Sequence, residues 1–141
     1  MPIRLGQVGH FSLAVRNPKK SARWWTDTMG LRKEFAFTDG VVVGNDAVAI
    51  ALFKGVPRPN VMEHMSFHLQ SMAALKRAQA HLRRKRVKME DPGNEIGPEA
   101  PGSKNMGLWL RDPDGYRWEL AVLAKPAKKS KRRKPAKKKR I

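Results

Sequence analysis

Short stretches of alternating apolar and polar residues recur along the chain, separated by turns and helical stretches. The first, from Gln7 to Val15, alternates as expected of a strand with one buried face. Asn17 and Pro18 then predict a helix start, because Asn is a favourable N-cap and Pro at the first helical position loses no hydrogen bond. Gly30 is the expected helix end. The strands predicted after it are Leu31–Phe37, Val41–Val43 and Val48–Phe53.

The second half of the chain repeats this order of elements. A strand is predicted from His64 to Gln70, and Ser71 caps a helix whose apolar residues recur every three or four positions. The strands predicted after this helix are Arg86–Met89, Met106–Leu110 and Tyr116–Val122, the last two joined by the turn sequence DPDG. The pattern therefore predicts an α+β domain of two βαβββ modules, module one at about 7–53 and module two at about 64–122.

The first strands of the two modules also match each other. GHFSLAV in module one and EHMSFHL in module two both contain His-x-Ser, and His10 and His64 lie 54 residues apart. The matched motif and the matched element order together favour an internal duplication.

Positive charge is concentrated at the C-terminal end of the chain. Of 30 Lys and Arg residues, 11 lie in residues 125–141, which contain none of the 12 acidic residues. The formal charge of +18 therefore falls to +7 for residues 1–124, the predicted domain. A segment of this composition cannot bury enough apolar surface to fold, so we expect 125–141 to be disordered. Its cations favour non-specific nucleic-acid binding or nuclear targeting; the alternative is a solubilising tail with no partner.

Cysteine is absent from the chain. This excludes disulfides, thiolate nucleophiles and cysteine-based zinc sites. No apolar stretch approaches the roughly 18 residues needed to cross a bilayer, and the first residues contain no hydrophobic secretion signal. We therefore expect a cytoplasmic protein with no membrane partner.

Three residues on the predicted strands are candidate metal ligands: His10, His64 and Glu119. Glu119 lies between Trp118 and Leu120 in an otherwise apolar strand. An inward carboxylate there is costly unless it is paired or metal-bound. If the strand faces converge, two imidazoles and a carboxylate form a site suited to Fe(II) or Mn(II), with positions open for substrate. The alternative is that all three are ordinary solvated or hydrogen-bonded residues.

Other polar residues share these strand faces, because the side chains of a strand alternate. Ser12 and Ser66 each lie two residues beyond a candidate histidine and could line a substrate pocket. His68 shares the face of Ser66; it could donate a proton, or it could be an ordinary polar residue. His81 lies among Arg and Lys residues of the second helix and is interpreted as solvated surface.

Three stretches carry a resemblance to a known family: VGHFSLAVRNPKKSARWWTDTMGL, HMSFHLQSMAALKRAQAHL and GLWLRDPDGYRWEL. Through them the chain resembles the glyoxalase, bleomycin-resistance and extradiol-dioxygenase superfamily, also called vicinal oxygen chelate proteins, over residues 7–122. The resemblance implies paired βαβββ modules forming a half-open barrel around one divalent metal. It also implies ligands from the first strand of each module and the last strand of the second, here His10, His64 and Glu119.

Departures from the family patterns narrow the implied activity. Glyoxalases of this fold take a fourth ligand from the last strand of the first module, where this chain has Ala51, so glyoxalase activity is disfavoured. Extradiol dioxygenases usually have a Tyr three residues before the DPDG turn and a His in the preceding loop. Here those places hold Trp109 and a loop without histidine, 90–104, although His68 could substitute.

The leading hypothesis is therefore a divalent-metal-dependent, dioxygenase-like oxidoreductase that acts on a small oxygen-bearing substrate. Trp109 would form an apolar wall of its pocket, and we expect a homodimer. The alternatives are a glutathione or thiol transferase of the fosfomycin-resistance type and a non-catalytic, drug-binding protein. The sequence leaves open whether the two modules pair within one chain or across the dimer.

Overall fold

The computed structural model describes residues 2–90 and 95–124. The predicted disordered tail, 125–141, lies outside the described residues, and so do the nucleic-acid binding and nuclear targeting that were predicted for it. Among the described residues, no helix is long and apolar enough to span a membrane.

Module one forms a four-stranded sheet with one helix. Its elements are β1 (Phe11–Val15), α1 (Pro18–Asp27), β2 (Arg32–Phe37), β3 (Gly40–Gly44) and β4 (Ala49–Lys54). The strand order is β1-β4-β3-β2, with β1 parallel to β4 and the other pairs antiparallel. Asn17 caps α1 as predicted, since its Oδ1 accepts a hydrogen bond from the backbone N–H of Lys20 at 3.0 Å.

Module two repeats this arrangement and adds one short strand. Its elements are β5 (Met65–His68), α2 (Met72–Arg84), β6 (Lys88–Glu90), β7 (Gly97–Pro98), β8 (Met106–Arg111) and β9 (Arg117–Val122). The order is β5-β9-β8-β6, with β5 parallel to β9 and β7 paired with β8. The predicted α+β fold of two βαβββ modules is confirmed, and the two sheets do not close into a barrel within the described residues.

The first strand of each module is shorter than the sequence predicts. β1 begins at Phe11 and β5 at Met65, so His10 and His64 each lie immediately before a strand rather than within it. The two histidines therefore occupy equivalent positions in the two modules.

One apolar core joins the modules across the helix-bearing faces of both sheets. Trp25 of α1 is fully buried, with its ring centroid 5.0 Å from that of Trp118 on β9 and 6.4 Å from that of Phe67 on β5. The hydroxyl of Tyr116 donates a hydrogen bond across the modules to the carbonyl of Ala14 at 2.7 Å. The contact through this core leaves the opposite face of each sheet uncovered by the described residues of the other module.

A second cross-module contact corrects one sequence interpretation. The Nε2 of His81 lies 2.9 Å from the carbonyl oxygen of Thr28, at the C-terminal end of α1. The prediction that His81 is solvated surface is wrong, because the ring reaches across to the other module and is half-buried there.

The two uncovered sheet faces differ in character. The open face of module one contains the cross-strand row Ser12, Ala51, Val42 and Phe35. Phe35 is 57% exposed there, and Phe53, two residues beyond Ala51, is 45% exposed. The open face of module two contains the corresponding row Ser66, Glu119, Trp109 and Glu90. One face is thus apolar and unprotected, while the other is polar.

Candidate metal centre

His64 and Glu119 lie together on the open face of module two. The Nε2 of His64 is 3.3 Å from the Oε1 of Glu119. The parallel pairing of β5 with β9 produces this proximity, because it places Ser66 opposite Glu119 and leaves His64 at the entrance of the strand. Two of the three predicted metal ligands are therefore adjacent in a single chain.

The other ring nitrogen of His64 determines which tautomer faces Glu119. Its Nδ1 lies 2.6 Å from the Oε1 of Glu63, which also accepts a hydrogen bond from Arg117 at 3.1 Å. The hydrogen bond with His64 and the charge of Arg117 lower the pKa of Glu63, so this carboxylate is ionised and accepts the Nδ1 proton. With Nδ1 bonded to Glu63, Nε2 is the ring nitrogen that faces the Oε1 of Glu119, where it can either donate a proton or bind a cation.

Glu119 is a buried carboxylate with one oxygen free. Its residue is 2% exposed, and its Oε2 has no hydrogen-bond partner among the described residues. Burial raises the pKa of Glu119, and so does the neighbouring Glu99 carboxylate, while Ser66 and His64 act in the opposite direction. A buried oxygen left without a donor is costly in a protein interior. This oxygen is consequently a position at which a cation would be favourable.

A glycine makes room for that carboxylate. A Cβ built on Gly107 of β8 would overlap the Oε2 of Glu119 and lie 3.1 Å from the ring of Trp109. A glycine inside a strand often marks a close approach by another group. Here the absent side chain at Gly107 leaves the space that the Glu119 carboxyl group occupies.

An ion-pair network extends along the same face. Glu90 accepts hydrogen bonds from Arg111 at 2.6 Å and from Arg117 at 2.8 Å. Partial burial disfavours the charged form of Glu90, but the hydrogen bonds and the positive charges of Arg111 and Arg117 together outweigh it and lower the pKa of Glu90. Arg117 therefore links two ionised carboxylates, Glu90 and Glu63, and through Glu63 it restrains the imidazole of His64.

A cavity of about 640 Å³ opens beside His64. We call it the His64 cavity; the lining residues used below are His64, Glu95, Ile96, Glu99, Trp109 and Arg117. Trp109 lies opposite Glu119 in the β8–β9 pairing and is among the residues that line this cavity; its role as a wall of a substrate pocket stays a prediction. This volume suits a small organic molecule.

The third predicted ligand does not join this pair within one chain. His10 is exposed at the entrance to β1, in the other module, and the described residues contain no group of three or more His, Asp or Glu side chains that could hold a metal ion. Ser12 is likewise remote from the His64 cavity, since it pairs with Ala51 on the open face of module one. The three-ligand site thus stays a prediction.

His68 lines a different cavity. It is exposed and borders a space of about 470 Å³ between the modules, together with Val8, Trp25 and Leu120. The described lining of the His64 cavity does not include His68. The suggestion that His68 supplies a proton at the metal site has no geometric support within one chain.

Sequence reasoning missed several groups of this site: Glu63, Glu90, Glu99 and Gly107. The one available signal was Gly107, a glycine inside an apolar strand. The three carboxylates gave none, because their roles depend on neighbours across strands and loops.

Comparison with known proteins agrees with the fold. The sequence family described as the Glyoxalase/Bleomycin resistance protein/Dioxygenase superfamily matches residues 7–120. No curated protein matches the sequence.

Similar solved structures share the fold at low sequence identity. A glyoxalase/bleomycin resistance protein/dioxygenase from Nocardioides superposes with a TM-score of 0.71 at 14% identity, covering 89% of this chain and 89% of that chain. The fosfomycin resistance protein FosX from Listeria monocytogenes gives 0.69 at 15% identity, covering 84% and 94%. An integron cassette protein of V. cholerae gives 0.67 at 16% identity, covering 86% and 98%. The chain belongs to the Glyoxalase/Bleomycin resistance protein/Dioxygenase superfamily.

Proposed function

We propose that the protein is a divalent-metal-dependent enzyme that acts on a small oxygen-bearing substrate, with His64 and Glu119 of one chain and His10 of a second copy as metal ligands. The observation that carries this proposal is the pair of atoms able to bind a metal, His64 Nε2 and Glu119 Oε1, that face each other at 3.3 Å. Two ligand atoms that each lie about 2.1 Å from one metal ion are separated by roughly 3.0–3.4 Å in octahedral or tetrahedral geometry. The observed distance falls in that interval.

The surroundings of the pair also suit a metal ion. Glu63 lies against Nδ1 of His64, so Nε2 is the nitrogen that would bind the metal. A carboxylate behind a ligating histidine is the usual means of orienting the ring and raising its basicity. The free Oε2 of Glu119, in the space beside Gly107, offers a further oxygen. A nitrogen and carboxylate donor set of this kind suits Fe(II) or Mn(II).

A second copy of the chain is the proposed source of His10. Within one chain the modules meet through their core faces, so the open face of module one cannot cover Glu119. That face exposes Phe35 and Phe53, and clustered exposed apolar groups often mark an interface. A two-fold dimer could place the open face of module one of each copy over the open face of module two of its partner. Such a dimer would contain two equivalent sites.

When bound, the metal would supply Lewis-acid chemistry, polarising a chelated substrate oxygen and stabilising the negative charge that develops on it. The protein's own groups would hold and enclose the substrate. Trp109 excludes water from one side of the cavity, Glu63 and Arg117 keep the His64 ring in place, and Ser66 is a hydrogen-bonding neighbour of Glu119. The three-ligand set favours dioxygenase-like chemistry over a glyoxalase reaction, because Ala51 cannot bind metal.

Metal content of four histidine and glutamate variants tests this proposal. We expect wild-type protein to retain one Mn(II) or Fe(II) ion per chain after dialysis, and His10→Ala, His64→Ala and Glu119→Gln to lose it. His68→Ala is the matched control and should retain the metal, since His68 is exposed outside the His64 cavity. Retention by His64→Ala, or no uptake by the wild type, would overturn the proposal.

The reaction is tested on the metal-loaded wild type. Oxygen-dependent ring cleavage of a catechol supports the dioxygenase assignment. Thiol transfer to an epoxide without oxygen consumption would instead favour the transferase alternative. Binding of such compounds without turnover would favour a drug-binding protein.

A further inference from the structure

The His64 cavity is negatively charged in an otherwise strongly basic protein. Two carboxylates, Glu95 and Glu99, line it, and Glu119 lies against Glu99. The whole chain carries +18. A local charge opposite to that of the chain is a specific feature of this cavity rather than a consequence of composition.

The guanidinium group that lines the described part of the cavity already forms ion pairs with other carboxylates. Among the described lining residues, Arg117 alone carries a guanidinium or ammonium group, and it pairs with Glu90 at 2.8 Å and Glu63 at 3.1 Å. Glu90 also pairs with Arg111. This network contains as many carboxylates as guanidinium groups, so it leaves no surplus positive charge to offset Glu95, Glu99 and Glu119.

The two lining carboxylates retain capacity for a bound molecule. No ion pair joins Glu95 to another described residue, and it is exposed to the cavity. One oxygen of Glu99 accepts a hydrogen bond from the side-chain amide of Asn105 at 3.0 Å. Its partner there is neutral, so its charge is not compensated.

Glu119 is a separate indication that a cation would be favourable in this region. It is 2% exposed, and its Oε2 is without a hydrogen-bond partner among the described residues. A divalent metal at Glu119 would offset two of the three negative charges of Glu95, Glu99 and Glu119. One negative charge would still remain for the substrate.

We propose that the substrate carries a positive charge, as an ammonium group, on a small apolar or aromatic body whose oxygen atoms reach the metal. This inference rests on the proposed function, because the metal is taken to hold the oxygen atoms. Glu95 and Glu99 attract the ammonium group, and the Trp109 ring attracts it as well. That ring already has the guanidinium of Arg117 at 5.8 Å from its centroid.

The same charges disfavour an anionic substrate. A carboxylate or phosphonate in the His64 cavity would approach Glu95 and Glu99 without a free cation to receive it. This repulsion lowers the affinity for anions.

Three catechols that share one oxygen chelate test the inference: dopamine, which is cationic, ethylcatechol, which is neutral, and homoprotocatechuate, which is anionic. Their affinities for Mn(II)-loaded wild type are measured by anaerobic calorimetry. We expect dopamine to bind about tenfold or more tightly than homoprotocatechuate, with ethylcatechol between them. Equal binding of the two charged catechols, or tighter binding of homoprotocatechuate, would overturn the inference.

The neutral catechol separates this inference from the proposed function. If ethylcatechol fails to bind the Mn(II)-loaded protein, the proposed function is contradicted, because the metal does not chelate the catechol oxygens. If it binds and the charge preference is absent, only the present inference fails. In Glu95→Gln/Glu99→Gln protein the preference should decrease several-fold while ethylcatechol binding is retained. Asp27→Asn removes the same type of charge from the exposed end of α1 and should leave the preference unchanged.

Fluorescence quenching tests the cavity's charge without any substrate. The contribution of Trp109 is isolated as the difference between wild type and Trp109→Phe. We expect caesium to quench it more strongly than iodide, relative to neutral acrylamide, and the Glu95→Gln/Glu99→Gln change to diminish this difference. Stronger quenching by iodide in the wild type would contradict a negatively charged cavity, whatever the catechols show.

Discussion

The two modules share one backbone plan but use it differently. Ser12 pairs with Ala51 in module one, as Ser66 pairs with Glu119 in module two. Across the next strands the first row continues with Val42 and Phe35, and the second with Trp109 and Glu90. One copy of the module therefore presents a buried carboxylate, whereas the other presents an apolar surface. This difference is the one expected under the proposed function, in which module one of one copy covers the binding site on module two of its partner.

A pair of glycines extends this comparison. Gly40 occupies the position in module one that Gly107 occupies in module two, since each pairs with the residue two places beyond Ala51 or Glu119. The space at Gly40 is filled by the Phe37 ring, and the space at Gly107 by the Glu119 carboxylate. The same gap in the sheet thus contains an aromatic ring in one module and a charged group in the other.

The largest expected effect concerns the core that joins the modules. Trp118→Ala removes a fully buried indole that contacts Trp25 and donates a hydrogen bond to Asp112. We expect a loss of about 3–5 kcal/mol in the free energy of unfolding, measured by chemical denaturation. Trp109→Ala, on the open face of module two, is the control and should cost less. Equal losses would indicate that the two faces do not differ in packing.

Asp112 makes the stability of the core between the two modules dependent on pH. Burial raises its pKa from 3.8 to about 6, despite hydrogen bonds from Trp118, Tyr116 and Asp114. The folded protein then binds the proton more tightly than the unfolded chain does. Protonation of Asp112 therefore stabilises the folded protein by about 3 kcal/mol. This stabilisation is fully present below the pKa that Asp112 has in the unfolded chain, and it is lost as the pH rises through the pKa that Asp112 has in the folded protein.

Denaturation of wild type and Asp112→Asn between about pH 4 and pH 7 measures this contribution. Asn does not titrate, so the stability of the variant should fall less steeply with rising pH than that of the wild type. Because the substitution also disturbs a hydrogen bond, only the difference in slope is informative. Parallel profiles would contradict the raised pKa.

Placing a carboxylate in module one tests whether its open face can act as a site. Ala51 is 7% exposed and lies beside Val42, so Ala51→Glu would bury a charge without a partner. We expect a loss of about 2–3 kcal/mol in the free energy of unfolding. Ala51→Gln provides the uncharged control and should cost less near neutral pH. Wild-type stability for Ala51→Glu would contradict the view that only module two accommodates a carboxylate.

A smaller effect on stability, with a specific effect on metal binding, is expected for Gly107→Ala. The added Cβ would displace the Glu119 carboxylate. We expect the metal affinity to fall about tenfold and stability to fall by about 1 kcal/mol. Gly6→Ala is the control, since a Cβ there meets nothing within 4 Å. Unchanged metal affinity in Gly107→Ala would show that the glycine does not position Glu119.

The sequence allowed the element order to be predicted because its turns and caps are strong local signals. Asn17 and Ser71 cap the helices as expected. The matched His-x-Ser motif placed His10 and His64 in equivalent positions, and the observed pairing supports the alignment of Ala51 with Glu119. These features depend on spacing along the chain, which the sequence contains directly.

Other features could not be read from spacing. Alternation shows that Glu119 and Trp118 face opposite ways, but not that Glu63 would orient His64 or that Glu99 would lie beside Glu119. His81 was assigned to solvent because its neighbours in sequence are charged, whereas its partner, Thr28, is in the other module. These contacts depend on which faces of the two modules meet.

Mixing two inactive variants tests the central claim most directly. His10→Ala and His64→Ala chains are unfolded together, refolded, and compared with each variant refolded alone, and Mn(II) retention is measured. If His10 reaches the pair of His64 and Glu119 in the partner copy, each mixed dimer regains one complete site, and metal binding appears only in the mixture. Absence of metal from the mixture, with wild-type protein retaining it under the same treatment, would contradict a site shared between two chains.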